Sequence, residues 1–264
     1  MEKSILRFLQ SLTMETPKPF GAFHLLCLAL SAALVVLFCV KKGKIKERTV
    51  LLVYGIGSVV LELLKQYMWS FSLEDGKMVF DYPWYIFPFQ FCSTPMYVAI
   101  IIAFLKEGKV KSALIDYLSF FTVVSAVMVM IMPDSCFTRD LVVNIHTMYL
   151  HCGSFVVSAF LLINRREEKE IRGFIHGFAV FAGMVFLALA MNLITYNAGI
   201  LGDETFNMFY ISPYYESSLP VYGRVQTQVA YPVFLLLYVL SVSIAACGVN
   251  GLTRIFAKKA RIKN

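Results

Sequence analysis

The sequence predicts an all-α, polytopic transmembrane helical bundle of about seven spans, on the basis of its composition and of the spacing of its apolar stretches. Of its 264 residues, 58% are hydrophobic and 16% are charged, whereas a soluble domain has roughly 45–50% apolar and about 25% charged residues. The mean hydropathy is +0.69. A helix needs about 20 mostly apolar residues to cross the bilayer core. Seven stretches meet this requirement: Phe20–Val40, Val50–Phe71, Trp84–Leu105, Ala113–Met132, Leu141–Ile163, Gly173–Tyr196 and Val225–Val249.

A single integral membrane domain is expected, because the connections between these stretches are short except for the loop over residues 197–224. The bundle is expected over residues 20–249. An amphipathic outer tail (1–19) precedes it, and a basic cytoplasmic tail (250–264) follows it. The first span lies behind a charged start that lacks a small-residue cleavage site, so we expect it to be retained rather than removed as a signal peptide.

The basic residues predict the orientation of the bundle. Alternate loops and the C-terminal tail together carry 17 Lys and Arg, whereas the segments on the other side carry 6. The positive-inside rule then predicts a multi-pass cell-membrane protein with its N-terminus outside and its C-terminus in the cytoplasm. Topology and contact with anionic lipid headgroups account for the basic clusters, so no nucleic-acid partner is expected.

The cysteines predict neither a disulfide framework nor a metal site. Six are present, none of them in a CxxC pair, and no spacing resembles that of a zinc site. No metal and no cofactor are expected.

Polar residues fall mainly in the outer halves of the predicted spans. An ionisable group at the centre of a membrane costs about 2.5–3.5 kcal/mol on insertion scales, so such groups usually face a bundle interior or a wet cavity. We therefore expect a shared polar cavity that is open to the outer side. The alternative is a set of hydrogen bonds that only join helices. Glu62 and Lys65 lie three residues apart on one helix face and can neutralise each other.

The stretch PFQFCSTPMY, residues 88–97, interrupts the third predicted span. Pro88 and Pro95 each lack an amide donor and disrupt a helix. Non-helical backbone at membrane depth is tolerated where it is buried in protein or lines a cavity. The Cys92 thiol and nearby backbone amides can therefore face a ligand, although a kinked helix with Cys92 as packing is equally compatible. The outer loop 197–224 contains FNMFYISPYY, which predicts either a lid over the cavity or an interfacial anchor.

Several of these stretches together resemble the YwaF-type bacterial integral membrane protein family, from about Phe20 to about Leu240. They are FGAFHLLCLAL, LELLKQYMW, FPFQFCSTPMYV, HTMYLHCGSFVV, and MNLITYN followed by FNMFYISP. This family is similar to a eukaryotic multi-span phospholipid acyltransferase that uses a cysteine and a histidine within the membrane. The resemblance implies that Cys92 is a catalytic nucleophile and His151 its base, with His146 as a rival. It also implies membrane lipids as partners, namely an acyl donor and a lysophospholipid acceptor.

The remaining candidate residues would contact the substrate. They are His24, Glu62, Lys65, Gln90, His146, Asn192 and Asn207. Two other functions remain open from the sequence: a transporter or binding protein for a small polar solute, and a membrane protein without catalysis. A transporter is expected to have polar access from both sides, whereas the inner halves of these spans are almost purely apolar.

Overall fold

The computed structural model describes residues 2–133, 136–165 and 171–262, and this part of the chain is mainly helical. Six of its helices are long and apolar enough to cross a membrane, and a shorter apolar helix spans Thr94–Phe104. The predicted all-α bundle is confirmed. The six long helices are Ala22–Val40, Glu47–Ser70, Lys109–Ile131, Leu141–Asn164, Arg172–Asn197 and Tyr231–Ile255.

The elements are numbered in chain order. The helices are α1 (Glu2–Ser11), α2 (Ala22–Val40), α3 (Glu47–Ser70), α4 (Thr94–Phe104), α5 (Lys109–Phe120), α6 (Thr122–Ile131), α7 (Leu141–Asn164), α8 (Ile171–Asn197), α9 (Tyr222–Gln228) and α10 (Tyr231–Ile262). Strands β1 (Phe71–Glu74) and β2 (Lys77–Phe80) form an antiparallel hairpin between α3 and α4. Helices α5 and α6 follow each other across Phe121 and together form one span.

The third predicted span differs from the expected continuous helix over Trp84–Leu105. Only its second half, α4, is α-helical, and its first half contains a single 3-10 turn at Trp84–Ile86 and irregular backbone. The segment nevertheless runs alongside most of α3. The Gln66 side chain donates to the Ile86 carbonyl at one end (2.9 Å), and the Arg48 guanidinium lies over the Phe104 ring at the other (5.1 Å). The third predicted span is therefore an extended segment with a non-helical first half that lies along α3.

The hairpin and α1 cover one end of the bundle. Asp75 and Gly76 both adopt left-handed φ values, 47° and 72°, at the two-residue turn between β1 and β2. The Lys3 ammonium donates to the Gly76 carbonyl (2.7 Å), and the Gln10 amide donates to the carbonyl of Phe71 (3.0 Å). Helix α1 thus lies on the hairpin and on the end of α3, at the side predicted to be external.

At the end of the bundle away from the hairpin, ion pairs join α3, α5 and α7. The Arg165 guanidinium donates to both carboxylate oxygens of Glu47, at 2.6 and 2.9 Å. Lys111 lies 2.5 Å from Glu107 and 3.7 Å from Glu47, and its hydrogen bond lowers the pKa of Glu107 below the usual value. The basic count that predicts this end to be cytoplasmic also includes Arg166 and Lys169, which lie outside the described residues.

Helix α7 is the central element of the bundle. It packs against α2, α3, α5 and α6, and it is the most buried of the six long apolar helices. Because it is surrounded, its polar residues must face neighbouring helices rather than lipid. These buried polar residues are Asn144, His146, Thr147, His151, Ser154 and Ser158.

Candidate functional site

Cys92 lies in a turn that comes directly before α4. The N–H groups of Ser93 and Thr94 donate to the Gln90 carbonyl, at 2.8 and 3.2 Å, and close this turn. Pro95 occupies the first turn of α4, where the missing N–H removes no helical hydrogen bond. The second proline of the stretch therefore starts a helix rather than kinking one.

Three successive backbone N–H groups next to the Cys92 thiol are unpaired. The N–H groups of Gln90, Phe91 and Cys92 donate no hydrogen bond to any residue that the structure describes. They belong to the turn that leads into α4, and the first N–H groups of a helix have no partner within the helix. The Cys92 side chain is partly buried. This turn thus presents a thiol together with donors that can receive an oxygen atom from a ligand.

The Cys92 turn is also fixed to α5. The Thr94 hydroxyl accepts from or donates to the Tyr117 hydroxyl at 2.6 Å, and both side chains are buried. The Tyr97 hydroxyl donates to the Pro88 carbonyl (3.0 Å). These side chains thus stabilise a stretch of irregular backbone within the bundle, where backbone polar groups need partners from the protein.

Glu62 is the centre of a buried polar cluster between α3 and α7. Its carboxylate lies 2.8 Å from the Lys65 ammonium, 2.6 Å from the Gln66 amide and 2.8 Å from His146 Nε2, and Glu62 is only 3% exposed. The His146 N–H is not aligned with the carboxylate oxygen, so this contact is a close approach rather than a well-directed hydrogen bond. Gln66 was not a predicted site residue, although its position four residues after Glu62 places both on one helix face.

The Glu62 cluster lies near the Cys92 turn. The Gln66 amide of this cluster donates to the Ile86 carbonyl (2.9 Å), in the irregular segment that leads to the Cys92 turn. The structure brings Glu62, Lys65, Gln66 and His146 together beside this segment. Among the described residues, no group of three or more His, Cys, Asp or Glu could hold a metal ion.

The two histidines of α7 face different neighbours. They lie five residues apart, which separates them by about 140° around the helix axis. His146 faces Glu62 on α3. His151 shares its face with Ser158, whose hydroxyl donates to the Leu118 carbonyl of α5 (2.6 Å), so this face is turned toward α5. His151 is 5% exposed, and its ring makes no hydrogen bond within the described ranges.

Three predicted substrate-binding amides hold a loop in place. Gln90 donates to the Asn207 carbonyl (3.0 Å) and accepts from the Phe209 N–H (2.8 Å). Asn192 donates to the Met208 carbonyl (3.0 Å) and accepts from the N–H of the same residue (2.7 Å). The Asn207 side chain accepts from the Ser212 N–H (2.8 Å). These amides therefore pair with backbone groups of residues 207–216.

The loop segment Phe206–Ile211 is packed into the bundle rather than lying at the interface. Phe206 and Phe209 are buried, and the Phe209 ring lies 5.5 Å from the Phe91 ring. Phe209 and Tyr210 have left-handed φ values of 59° and 57°, which are unfavourable for residues other than glycine. The segment thus covers the Cys92 turn in a strained conformation that the Gln90 and Asn192 amides maintain.

His24 lies apart from these residues, at the start of α2. Its Nδ1 accepts from the Phe20 N–H (2.9 Å), and its ring packs edge-on against Phe137 (5.7 Å). Its Nε2 is buried without a hydrogen bond among the residues described. The contacts of His24 are thus with the start of α2 and the α6–α7 connection, not with the Glu62 cluster.

The structure has apolar helices long enough to span a membrane, a buried polar cluster between them and a thiol in an interrupted segment. These features define a multi-pass helical membrane protein. The chain belongs to the TMEM164 family, whose family model matches residues 19–248. This range covers α2 to α9 and most of α10, and it includes the Cys92 turn and both histidines of α7. No curated protein and no solved structure matches the chain. The finer resemblance to YwaF-type proteins and to an acyltransferase remains a prediction.

Proposed function

We propose that the chain is a lipid-directed acyltransferase or thioester-forming hydrolase that works within the membrane, with Cys92 as its nucleophile. The observation that carries this proposal is the Cys92 turn, in which a thiol adjoins three unpaired backbone N–H groups. Donors fixed around a developing oxyanion are usually the largest single contribution to acyl-transfer catalysis.

The first step forms a thioester. A histidine accepts the thiol proton, and the Cys92 sulfur attacks the ester carbonyl of a donor phospholipid. The carbonyl oxygen takes the negative charge and receives hydrogen bonds from the backbone N–H groups of the turn. When the intermediate collapses, the carbon–oxygen ester bond breaks, and the lysophospholipid leaves as an alcohol after taking the proton from the histidine.

The second step releases the acyl group. The same histidine removes a proton from the hydroxyl of an acceptor lysophospholipid, and that oxygen attacks the thioester carbonyl. The carbon–sulfur bond breaks, and the Cys92 sulfur recovers the proton. If water attacks instead, the products are a free fatty acid and the original thiol, which is the hydrolase variant of the same chemistry.

Both histidines of α7 are candidates for the base. The family resemblance assigns the role to His151, whose face is turned toward α5, the helix that also fixes the Cys92 turn through Tyr117. A different observation favours His146 as the base. The Glu62 carboxylate lies 2.8 Å from its Nε2, and a carboxylate commonly orients a catalytic histidine. Substituting each histidine separates the two assignments.

A site for a small polar solute is less well supported by the same contacts. Gln90, Asn192 and Asn207 pair with the loop segment, and Glu62 and Lys65 neutralise each other. The three amides are therefore already paired within the protein, which leaves a polar solute mainly the Glu62 Oε2 and His146 Nε2 atoms, which are buried without a hydrogen bond among the described residues.

The test measures acyl-enzyme formation directly. Purified protein is incubated with a phospholipid that carries a labelled acyl chain, and label that hydroxylamine releases is quantified as thioester. We expect Cys92→Ser to abolish this signal. We expect removal of the true base, by His151→Ala or by His146→Ala, to slow acylation about 10²–10⁴-fold.

Cys152→Ser is the control, because Cys152 is a second thiol within the bundle but lies on α7 rather than in the Cys92 turn. It should retain the thioester signal. Full lipid-remodelling activity in Cys92→Ser would show that the nucleophile assignment is wrong. A wild-type protein that forms no thioester and transfers no acyl group would favour the solute-binding or non-catalytic alternatives.

A further inference from the structure

An apolar groove of about 480 Å³ lies between α2 and α3, with α7 as its floor. Helices α2 and α3 both pack against α7, but few contacts join them to each other. The groove extends along α2 from Phe23 to Phe38, which is about 22 Å of helix. It therefore covers most of the roughly 30 Å thickness of a bilayer hydrocarbon core.

The wall of the groove offers almost no free polar atoms. Three of its hydroxyl groups donate to backbone carbonyls: Ser31 to Cys27 (2.8 Å), Tyr54 to Leu150 (3.2 Å) and Tyr149 to Val53 (2.8 Å). A polar ligand would have to give up its hydration without gaining hydrogen bonds from these groups. The occupant that this wall favours is therefore apolar.

The mouth of the groove is continuous with the lipid-facing surface. Leu30 and Leu34 of α2 and Val53 of α3 line the groove and are 56%, 44% and 64% exposed. Neighbouring residues of α2 outside the groove, such as Leu26 and Leu37, are also exposed and apolar. A hydrocarbon chain of the surrounding bilayer can thus enter sideways without crossing a polar region.

Tyr54 is a fixed part of the groove wall. It lines the groove and is only 4% exposed, and its hydroxyl is held by the Leu150 carbonyl of α7 (3.2 Å). Its ring occupies space that Gly153 leaves free, since a Cβ atom at position 153 would approach the ring within 2.7 Å. Tyr54 therefore closes the groove where α3 meets α7.

We propose that the α2–α3 groove binds one acyl chain of a membrane phospholipid, with the Tyr54 ring as part of the wall against which this chain packs. The inference deepens the proposed function, because it names the place where a lipid chain would lie when its ester group reaches Cys92. Chain binding itself does not depend on catalysis. It can therefore be tested in a protein that lacks the nucleophile.

The test uses phosphatidylcholine vesicles that contain a small fraction of phosphatidylcholine with a diazirine in its acyl chain. After irradiation, adducts are mapped by mass spectrometry. We expect adducts on the groove-facing residues of α2 and α7, and equal labelling in Cys92→Ser. Leu34→Trp should fill the groove and lower this labelling about tenfold, the change that roughly 1.4 kcal/mol of lost contact produces.

Leu37→Trp is the matched control, because Leu37 is on the same helix and 43% exposed, against 44% for Leu34, but does not line the groove. It should leave labelling unchanged. Ile145→Trp fills the groove from α7 and replaces Leu34→Trp if the latter does not fold. Even labelling over the exposed faces of α2, α8 and α10 would overturn the proposal, as would unchanged labelling in a folded groove-filling variant. Labelling by a diazirine fatty acid but not by the phosphatidylcholine would also overturn it.

Equal labelling of wild type and Cys92→Ser keeps the two proposals separate. If the groove is labelled but no thioester forms, chain binding stands and the proposed catalysis fails. If thioester forms but the groove is not labelled, the chain reaches Cys92 by another path.

Discussion

Glu62 shows how a single charged residue is accommodated inside the bundle. Its Oε1 contacts the Lys65 ammonium and the Gln66 amide at 2.8 and 2.6 Å, so these two groups replace part of the hydration that the carboxylate loses on burial. Removing one partner of a buried ion pair leaves the other charge uncompensated, which costs about 3–5 kcal/mol. The other carboxylate oxygen, Oε2, lies 2.8 Å from His146 Nε2 on α7.

Glu62→Gln is therefore expected to destabilise the protein by about 3 kcal/mol, because Lys65 then stays charged without a counter-ion. The measurement is unfolding of the purified protein in detergent. The double variant Glu62→Gln/Lys65→Met should lose less stability than Glu62→Gln alone, since neither charge remains. Equal stability of Glu62→Gln and wild type would mean that the ion pair is not a stabilising contact.

At the level of elements, the interrupted third segment and the loop over residues 206–211 stabilise each other. The Cys92 turn supplies Gln90, and α8 supplies Asn192, so two side-chain amides hold a segment that contains two residues with left-handed φ. Strained backbone of this kind persists only where its surroundings fix it, and it is commonly found at functional sites. The loop thus depends on the crossing that it covers.

Asn192→Leu keeps the side-chain volume but leaves the Met208 N–H and carbonyl unpaired, which should weaken the loop anchor by about 1–3 kcal/mol. We expect faster proteolysis within residues 198–221, and the same for Gln90→Leu. Asn197→Leu is the control, because the Asn197 amide bonds only to its own helix and to the exposed Tyr214. Identical cleavage rates in all three variants would contradict an anchoring role for the two amides.

The sequence indicated some of these elements and not others, for physical reasons. Pro88 and Pro95 correctly predicted an interruption, but the half-length helix was missed because Pro95 can either break a helix or begin one. The β-hairpin was missed although Asp75-Gly76 is a typical hairpin turn. The roles of Gln90 and Asn192 could not be predicted, since an amide that binds a ligand and one that binds a distant backbone look identical in sequence.

On the scale of the whole molecule, the two ends of the bundle differ in their number of basic residues. The end formed by α1 and the hairpin carries few basic residues, whereas the opposite end carries the Glu47, Lys111 and Arg165 ion pairs and most of the Lys and Arg of the loops. An anionic inner leaflet attracts such basic segments. We expect the segment with a non-helical first half to make a full passage because it follows α3 from Gln66 to Arg48.

We expect seven passages through the bilayer, by α2, α3, this interrupted segment, the α5–α6 pair, α7, α8 and α10. An odd number of passages places the two termini on opposite sides. We expect the N-terminus and the hairpin outside and the C-terminus in the cytoplasm. In a cysteine-free background, Lys77→Cys in β2 should react with a membrane-impermeant maleimide on intact cells. Ile45→Cys, in the α2–α3 connection, should react only after permeabilisation. Reaction of Ile45→Cys from outside would reverse the predicted orientation, and reaction of both positions from outside would rule out a crossing by α3.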